Sequence, residues 1–368
     1  MRIALLDPFY DVSHAQWARG LKAHSVHEID IYCLKPVHWK WKMAAGAVSI
    51  ADQVNKAGVA YDLLLGTDML NVPLFKSLLN EDLDSVPVAL YFHENQITYP
   101  WSDTDKDSEL NRDHHYGWIN FTSAIVSEKL FFNSHYHYNS FFDALPNFLL
   151  RFPKNNLTSH IQKLKKKSVI LPVGLKLPEY MARATSELKK PTFIWNHRWE
   201  SDKNPALFLD ALRRLKKAGI SFNLIVCGKE YQQKPVPFAL MKMEFSEEII
   251  HWGFVQSRQQ YIDLLHQSDI ALVTSQQDYF GISVVEAISA GCIPLLPYRL
   301  AYPEHIPPVY HDQYIYKSDT SMYDLLCDII DQVGGSTLHL SQYVAKYDWN
   351  QLISIYDSEL ESLNAMTI

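Results

Sequence analysis

The segment Ser275-Gln-Gln-Asp-Tyr-Phe-Gly-Ile-Ser-Val-Val-Glu-Ala-Ile-Ser-Ala-Gly-Cys-Ile-Pro294 concentrates groups that could do chemistry. Two carboxylates, Asp278 and Glu286, are separated by seven intervening residues, Gly281, Ile282 and Ser283 among them. The run reads as strand end, loop, short helix, glycine stop and new strand. Ser283-Val-Val-Glu286 has capping-box spacing, Ile282 and Ala287 its staple, and Gly291 supplies a left-handed residue after the helix. Free amides at such a helix start, backed by the positive end of the helix dipole, hold a diphosphate without a metal. Gly281 lets a ligand approach the backbone. Acids flanking that anion site suit sugar and ribose hydroxyls, which need acceptors. A simpler reading leaves Glu286 capping only its own helix; Asp278 at the same mouth weighs against it.

A second group follows a short apolar strand: Trp195-Asn-His-Arg-Trp-Glu-Ser-Asp-Lys203-Asn-Pro205. Arg198 and Lys203 there would neutralise a diphosphate and stabilise it as a leaving group. Cations in a polar loop are ordinarily solvated, and only their place after a strand favours the functional reading. In the first half, Asp7-Pro-Phe-Tyr-Asp-Val-Ser-His14 brings Ser13 and His14 to a strand-to-helix turn, and Tyr91-Phe-His-Glu-Asn-Gln96 brings His93, Glu94 and Asn95 to the end of a buried strand. His93 has an ordinary alternative as a core histidine satisfied by Glu94. His114, His115 and Asn120 line an acceptor side or simply form a polar helix face. Lys35-Pro-Val-His-Trp-Lys-Trp-Lys42 interleaves cations with stacking rings, so His38, Trp39, Lys40 and Trp41 suit unpaired bases. Lys163, Lys165, Lys166 and Lys167 form a second basic run, a pattern that usually marks a solvated face.

These residues carry two resemblances. Asp278 and Glu286, with Arg198 and Lys203, resemble the signature of the large retaining glycosyltransferase family that includes sucrose synthase, in which two glutamates enclose seven residues. Asp278 stands in place of the first, the sugar-contacting Glu, and Glu286 matches the second, which accepts bonds from the nucleotide ribose. Across nearly the whole chain, Ser13-His14, His38-Trp39-Lys40, Gly66-Thr67-Asp68-Met69, His93-Glu94-Asn95-Gln96 and Trp195-Asn-His-Arg-Trp-Glu200 resemble the tRNA-queuosine alpha-mannosyltransferase family. One departure is Asp11-Val12, where that family has Gly-Gly. The resemblance implies GDP-mannose as donor, queuosine in the anticodon of aspartate tRNA as acceptor, retention of configuration and no metal cofactor. It places His93 and Asp278 at the transferring sugar and Arg198 and Lys203, as catalytic cations, on the donor diphosphate. The expected donor residues are then Arg198, Lys203, Gly281, Ile282, Ser283 and Glu286, and the expected acceptor residues Ser13, His14, His38, Trp39, Lys40, Glu94, Asn95, His114 and Asn120.

The elements that must position these residues alternate twice between short β-rich runs and helical patterns, as parallel sheets covered by helices require. Candidate strands in the first half are 2–6, 28–33, 63–65, 87–92 and 129–132; in the second, 192–195, 222–227, 249–252, 270–274 and 293–296. The expected architecture is α/β, a GT-B fold of two Rossmann-like domains facing across a cleft. Its expected divisions are an acceptor domain over 1–174, a linker over 175–191, a donor domain over 192–345 and a closing helix over 346–368. Pro178, Lys189, Lys190 and Pro191 mark the linker.

A length of 368 residues exceeds what one core usually fills. With 47% apolar and 20% charged residues the composition is that of a globular protein rather than a disordered or membrane one. Cys33, Cys227, Cys292 and Cys327 lie far apart, without zinc-site spacing, and no apolar run reaches membrane-spanning length, so a reduced cytoplasmic setting is expected. A net charge of −7 argues against a dedicated nucleic-acid binder while leaving room for local basic patches. Two alternatives remain: a glycosyltransferase acting on a lipid-linked or envelope saccharide, and a non-catalytic nucleotide-sugar or tRNA-binding protein.

Overall fold

A computed structural model describes residues 1–101, 107, 114–152, 157–182, 190–229 and 235–364. Lys189 and much of the segment expected as a linker lie outside the described residues. The chain divides into two compact units, Met1–Lys176 with Trp349–Ile368, and Leu177–Asp348.

The first unit is built on a six-stranded sheet of order β2-β1-β3-β4-β5-β6, all pairs parallel. Its strands are β1 (Arg2–Asp7), β2 (Glu28–Cys33), β3 (Leu63–Thr67), β4 (Val88–Phe92), β5 (Lys129–Phe132) and β6 (Ser168–Ile170). Runs such as Val88-Ala-Leu-Tyr-Phe92 are wholly buried, which a parallel sheet covered on both faces demands. The order reverses direction between β1 and β3. At such a switch point helices leave toward opposite faces and a crevice opens beyond the carboxyl ends of the strands.

The helix Trp349–Asn364 returns to this unit. The Trp349 indole fills the space beside Gly20 and Gly174, where a β-carbon would lie 2.0 and 2.5 Å from indole atoms. Two turns on, Tyr356 receives the Trp17 Nε1–H at 3.0 Å and donates to the Pro172 carbonyl at 2.7 Å.

The second unit carries a six-stranded parallel sheet of order β12-β11-β10-β7-β8-β9, with its reversal between β7 and β10. The strands are β7 (Thr192–Trp195), β8 (Asn223–Cys227), β9 (Ile249–Gly253), β10 (Ile270–Leu272), β11 (Ile293–Pro297) and β12 (Ile315–Tyr316). Ten of the twelve strands fall on the apolar runs of the sequence. The other two, β6 and β12, are edge strands of three and two residues, too short for any alternation to register.

Among the described residues no helix is long and apolar enough to cross a membrane.

Candidate functional site

In the first unit, polar side chains gather where β1 and β3 part. Asp7, fully buried at the end of β1, accepts from the Phe9 amide at 2.9 Å and the Thr67 hydroxyl at 3.3 Å, and its other oxygen lies 2.9 Å from His14 Nδ1. Burial opposes a charge on His14. Asp7, with help from Asp11 and Asp68, outweighs it and raises the histidine to about 10, so the ring is an imidazolium. That ring stacks on His93 with centroids 4.0 Å apart. His93 follows β4 and is boxed in by Trp17 at 4.7 Å and Tyr91 at 4.8 Å. Burial, and then the charge of His14, keeps His93 neutral, well below the usual histidine value. Its Nε2 has no hydrogen-bond partner among the described residues. Glu94 does not satisfy it, because the Glu94 carboxylate accepts from Gln96 Nε2 at 2.7 Å.

Several other polar residues here are committed to the backbone. Asp68 accepts from the amides of His93 at 2.8 Å and Glu94 at 3.4 Å, and burial followed by the charge of Glu94 raises its carboxyl. Asn120 is spanned at both ends, donating to the Asp68 carbonyl at 2.8 Å and accepting from the Gln96 amide at 2.6 Å. Asn95 Oδ1 caps the turn after it through the Ile97 and Thr98 amides at 3.1 and 3.0 Å. Ser13 donates to Asp11 at 2.8 Å. The replacement of Gly-Gly by Asp11-Val12 has a structural account: Asp11 caps the helix Val12–His24 by accepting from the His14 amide, while Val12 is left 74% exposed. His114 sits away from this group, with Arg151 Nη1 at 2.8 Å from both ring nitrogens, a position over the ring face. In the second basic run, Lys167 is structural, its ammonium donating to the carbonyls of Ile125 and Ser127 at the end of the helix His114–Val126.

In the second unit the loops after β7 and β10 meet at the other switch point. Lys203 is buried and donates to the Gln277 carbonyl; its ammonium lies 3.2 Å from Asp202 and 3.7 Å from Asp278. Asp278 also accepts from the Tyr302 hydroxyl at 3.2 Å. Burial would raise its carboxyl, but Lys203 leads a set of neighbours that hold it below the ordinary value. Arg198 is half exposed, 3.3 Å from Glu200. Between them lies His197, which burial and then Lys203 push down to about 3. The site therefore joins one committed cation, one solvent-facing cation and a carboxylate kept ionised.

The helix after this loop runs Ile282–Ser289, and its start corrects the expected capping box. Gly281 is the N-cap, at φ 91°, and Ser283 lies inside the first turn with its hydroxyl 3.1 Å from His197 Nδ1. A side chain at position 281 would be driven against the Tyr302 ring, 2.9 Å from its β-carbon, so only glycine starts the helix here. With no side-chain cap, the leading amides lack intrahelical partners and point toward the Asp278 loop. Glu286 is buried, and its carboxylate lies 2.7 Å from Arg258 Nη1. Arg258 escaped the sequence reading, although a signal existed. It opens the helix Arg258–Gln267, where the dipole disfavours a cation, so an arginine there implies a carboxylate partner from elsewhere.

The second unit thus brings two cations, a helix start and two carboxylates to the loops at its switch point. Comparison with known proteins identifies its relatives. Residues 178–314 match the family model described as glycosyl transferases group 1, and residues 2–175 match tRNA-queuosine alpha-mannosyltransferase N-terminal. The first half of the chain is thus similar to the tRNA-queuosine alpha-mannosyltransferases and the second to the glycosyl transferases of group 1. A curated tRNA-queuosine alpha-mannosyltransferase from Drosophila melanogaster is 29% identical over 315 residues, 83% of this chain and 81% of that one. The protein is a hexosyltransferase. A GDP-mannose:cellobiosyl-diphosphopolyprenol alpha-mannosyltransferase from Xanthomonas campestris is 26% identical over 174 residues, 46% of each chain. Among solved structures, Thermosynechococcus elongatus sucrose-phosphate synthase aligns with all of both chains at TM-score 0.71 and 11% identity. Anabaena HepE in complex with UDP aligns over 98% of this chain and 100% of its own at 0.67 and 13%. The fold is GT-B.

Proposed function

We propose that the protein transfers mannose from GDP-mannose to the cyclopentene hydroxyl of queuosine in the anticodon of aspartate tRNA, with retention of configuration and without a metal. The observation that carries this reading is the match of residues 2–175 to the queuosine-specific N-terminal model, because the donor half alone fits many glycosyltransferases. The donor is assigned to the second unit. Arg198, Lys203 and the open amides at Gly281–Ser283 take the diphosphate, Glu286 the ribose and Asp278 the sugar. His93, neutral and with a free ring nitrogen, contacts the transferring mannose. In the reaction the bond between the anomeric carbon and the β-phosphate oxygen breaks on the face where the acceptor oxygen bonds, and the acceptor proton passes to the leaving phosphate. Charge on that phosphate is met by the two cations and the helix start. A setting in the cytoplasm follows from the RNA acceptor.

The test incubates the purified protein with queuosine-containing tRNA and GDP-mannose, digests the RNA and measures hexose addition to queuosine by mass spectrometry. Addition with GDP-mannose and not with other nucleotide sugars is expected. No addition with any donor would move the acceptor to a lipid-linked saccharide, the reading favoured by the partial similarity to the Xanthomonas enzyme.

A further inference from the structure

A separate cavity opens on the first unit around the start of the helix Trp39–Ala57, lined by His38, Trp39, Lys40, Trp41, Ala44 and Tyr116. Its volume of about 440 Å³ lies in the usual range for a small organic ligand. Three aromatic rings back it: Trp39 lies 4.9 Å from Tyr116 and 6.1 Å from Trp101, and Trp101 lies 6.0 Å from Tyr116. The Lys40 ammonium sits 5.8 Å from the Trp39 centroid and 5.2 Å from that of Trp101, paired with Asp107 at 2.5 Å. The chain's own cation already takes the cation-binding faces of these rings, so what the cavity offers a ligand is neutral, planar apolar surface.

Two further features mark the start of this helix. Trp41 is 68% exposed beside the cavity, and His38 holds the left-handed conformation (φ 55°, ψ 60°) without using its side chain as a helix cap. Side-chain-bearing residues adopt that conformation seldom, and it persists where the surroundings enforce it. Lys35 and Lys42 flank His38–Trp41 in sequence.

The geometry points to this cavity as a stacking site for an unpaired nucleobase of the RNA, Trp41 closing over the base while Lys35 and Lys42 meet the adjoining phosphates. The inference rests on the acceptor being an RNA. It gives His38, Trp39 and Lys40, expected with the acceptor as a whole, a specific part in holding it: the stacking of one unpaired base. Base stacking on an aromatic ring tolerates any sequence and gives substantial binding per base, while the phosphate contacts add a salt-dependent part.

The test measures binding of a fluorescent RNA hairpin with an unpaired loop, against a fully paired duplex of equal length, by fluorescence anisotropy. Wild type is expected to favour the hairpin. Trp41→Ala weakens hairpin binding roughly 5- to 150-fold, the range of one lost stacking contact, and Trp41→Phe restores most of it. The loss in Trp41→Ala stays the same factor as salt rises, whereas the loss in Lys42→Gln shrinks. Because Trp41 is exposed, an unchanged melting temperature is expected and excludes misfolding as the cause. Equal hairpin affinity in wild type and Trp41→Ala overturns the inference even if hexose transfer proceeds normally. Trp41-dependent hairpin binding without any transfer to queuosine leaves the cavity assignment standing and overturns the acceptor reading instead.

Discussion

His14 in the first unit and His197 in the second both lie in the connection that follows the first strand of their sheet, and both are buried, yet they carry opposite charge. His14 faces the carboxylate of Asp7 and is raised to about 10. His197 has Lys203 and Arg198 among its neighbours and is pushed down to about 3, burial being the larger cause. Burial alone would neutralise both rings. What separates them is the last residue of the strand: an aspartate in β1, a tryptophan in β7. The first unit thus stores a fixed positive charge inside its polar cluster, held by its own groups. The second keeps its cations at a loop where one, Arg198, is half in solvent and paired with Glu200.

That contrast is open to attack at four places. The largest effect is expected from Arg198→Ala, which removes the solvent-facing cation from the proposed leaving group. Transfer should fall by about 10²- to 10³-fold in kcat, as loss of one preorganised charge-stabilising donor does. Near-normal turnover would remove Arg198 from the donor site.

Asp7→Asn attacks the stored charge. The folded state of the wild type keeps a proton on His14 that the unfolded chain releases above the ordinary histidine value of 6.5. The stabilisation from this pair is therefore complete below pH 6.5 and is lost as pH rises toward about 10. In the variant that alkaline decline should vanish, and stability at neutral pH should drop by about 3 kcal/mol, the cost of breaking a buried pair. His197 acts in the reverse sense, its contribution being full above pH 6.5 and lost toward about 3. Melting temperatures across pH would separate the two, and an unaltered alkaline limb in Asp7→Asn would refute the pairing.

Gly281→Ala tests whether the donor helix needs its open start. The φ of 91° and the 2.9 Å approach to Tyr302 predict a loss of about 1–3 kcal/mol, together with weaker donor binding. Calorimetry and a donor titration read the two effects, and an alanine that bound donor normally would show that the helix start is not a ligand site. The smallest effect is expected at His38→Gly. Relief of the left-handed strain should leave stability unchanged or raised by up to about 1 kcal/mol, and a clear loss in the melting temperature would mean that the His38 side chain holds the cavity together.

Much of this was legible in the residues. Strands such as Val88–Phe92 and Asn223–Cys227 announce themselves as apolar runs because both faces of a parallel sheet are covered. Asp278 and Glu286 stood out because they flank Gly281 at a strand-to-helix turn, and Arg198 and Lys203 because they follow a short apolar strand. Partnerships were not legible, since they depend on where separate loops meet. Ser283 and Glu286 have the spacing of a capping box, but the backbone begins the helix at Gly281, which moves Ser283 onto His197 and leaves Glu286 for Arg258, 28 residues upstream. Asn120 has the chemistry of a ligand-binding side chain and spends all of it fastening the backbone of Asp68 and Gln96. Lys167 sits in a basic run that reads as surface, yet it ties off a helix.

The return of the helix Trp349–Asn364 to the first unit also orders events during synthesis. The pocket beside Gly20 and Gly174 stays unfilled until Trp349 emerges, whereas every residue of the second unit has by then been made. The donor half can therefore fold as a contiguous piece of chain. The half that carries the acceptor assignment waits until the helix Trp349–Asn364 has been made, and a chain cut off after residue 348 would lack part of the unit made first.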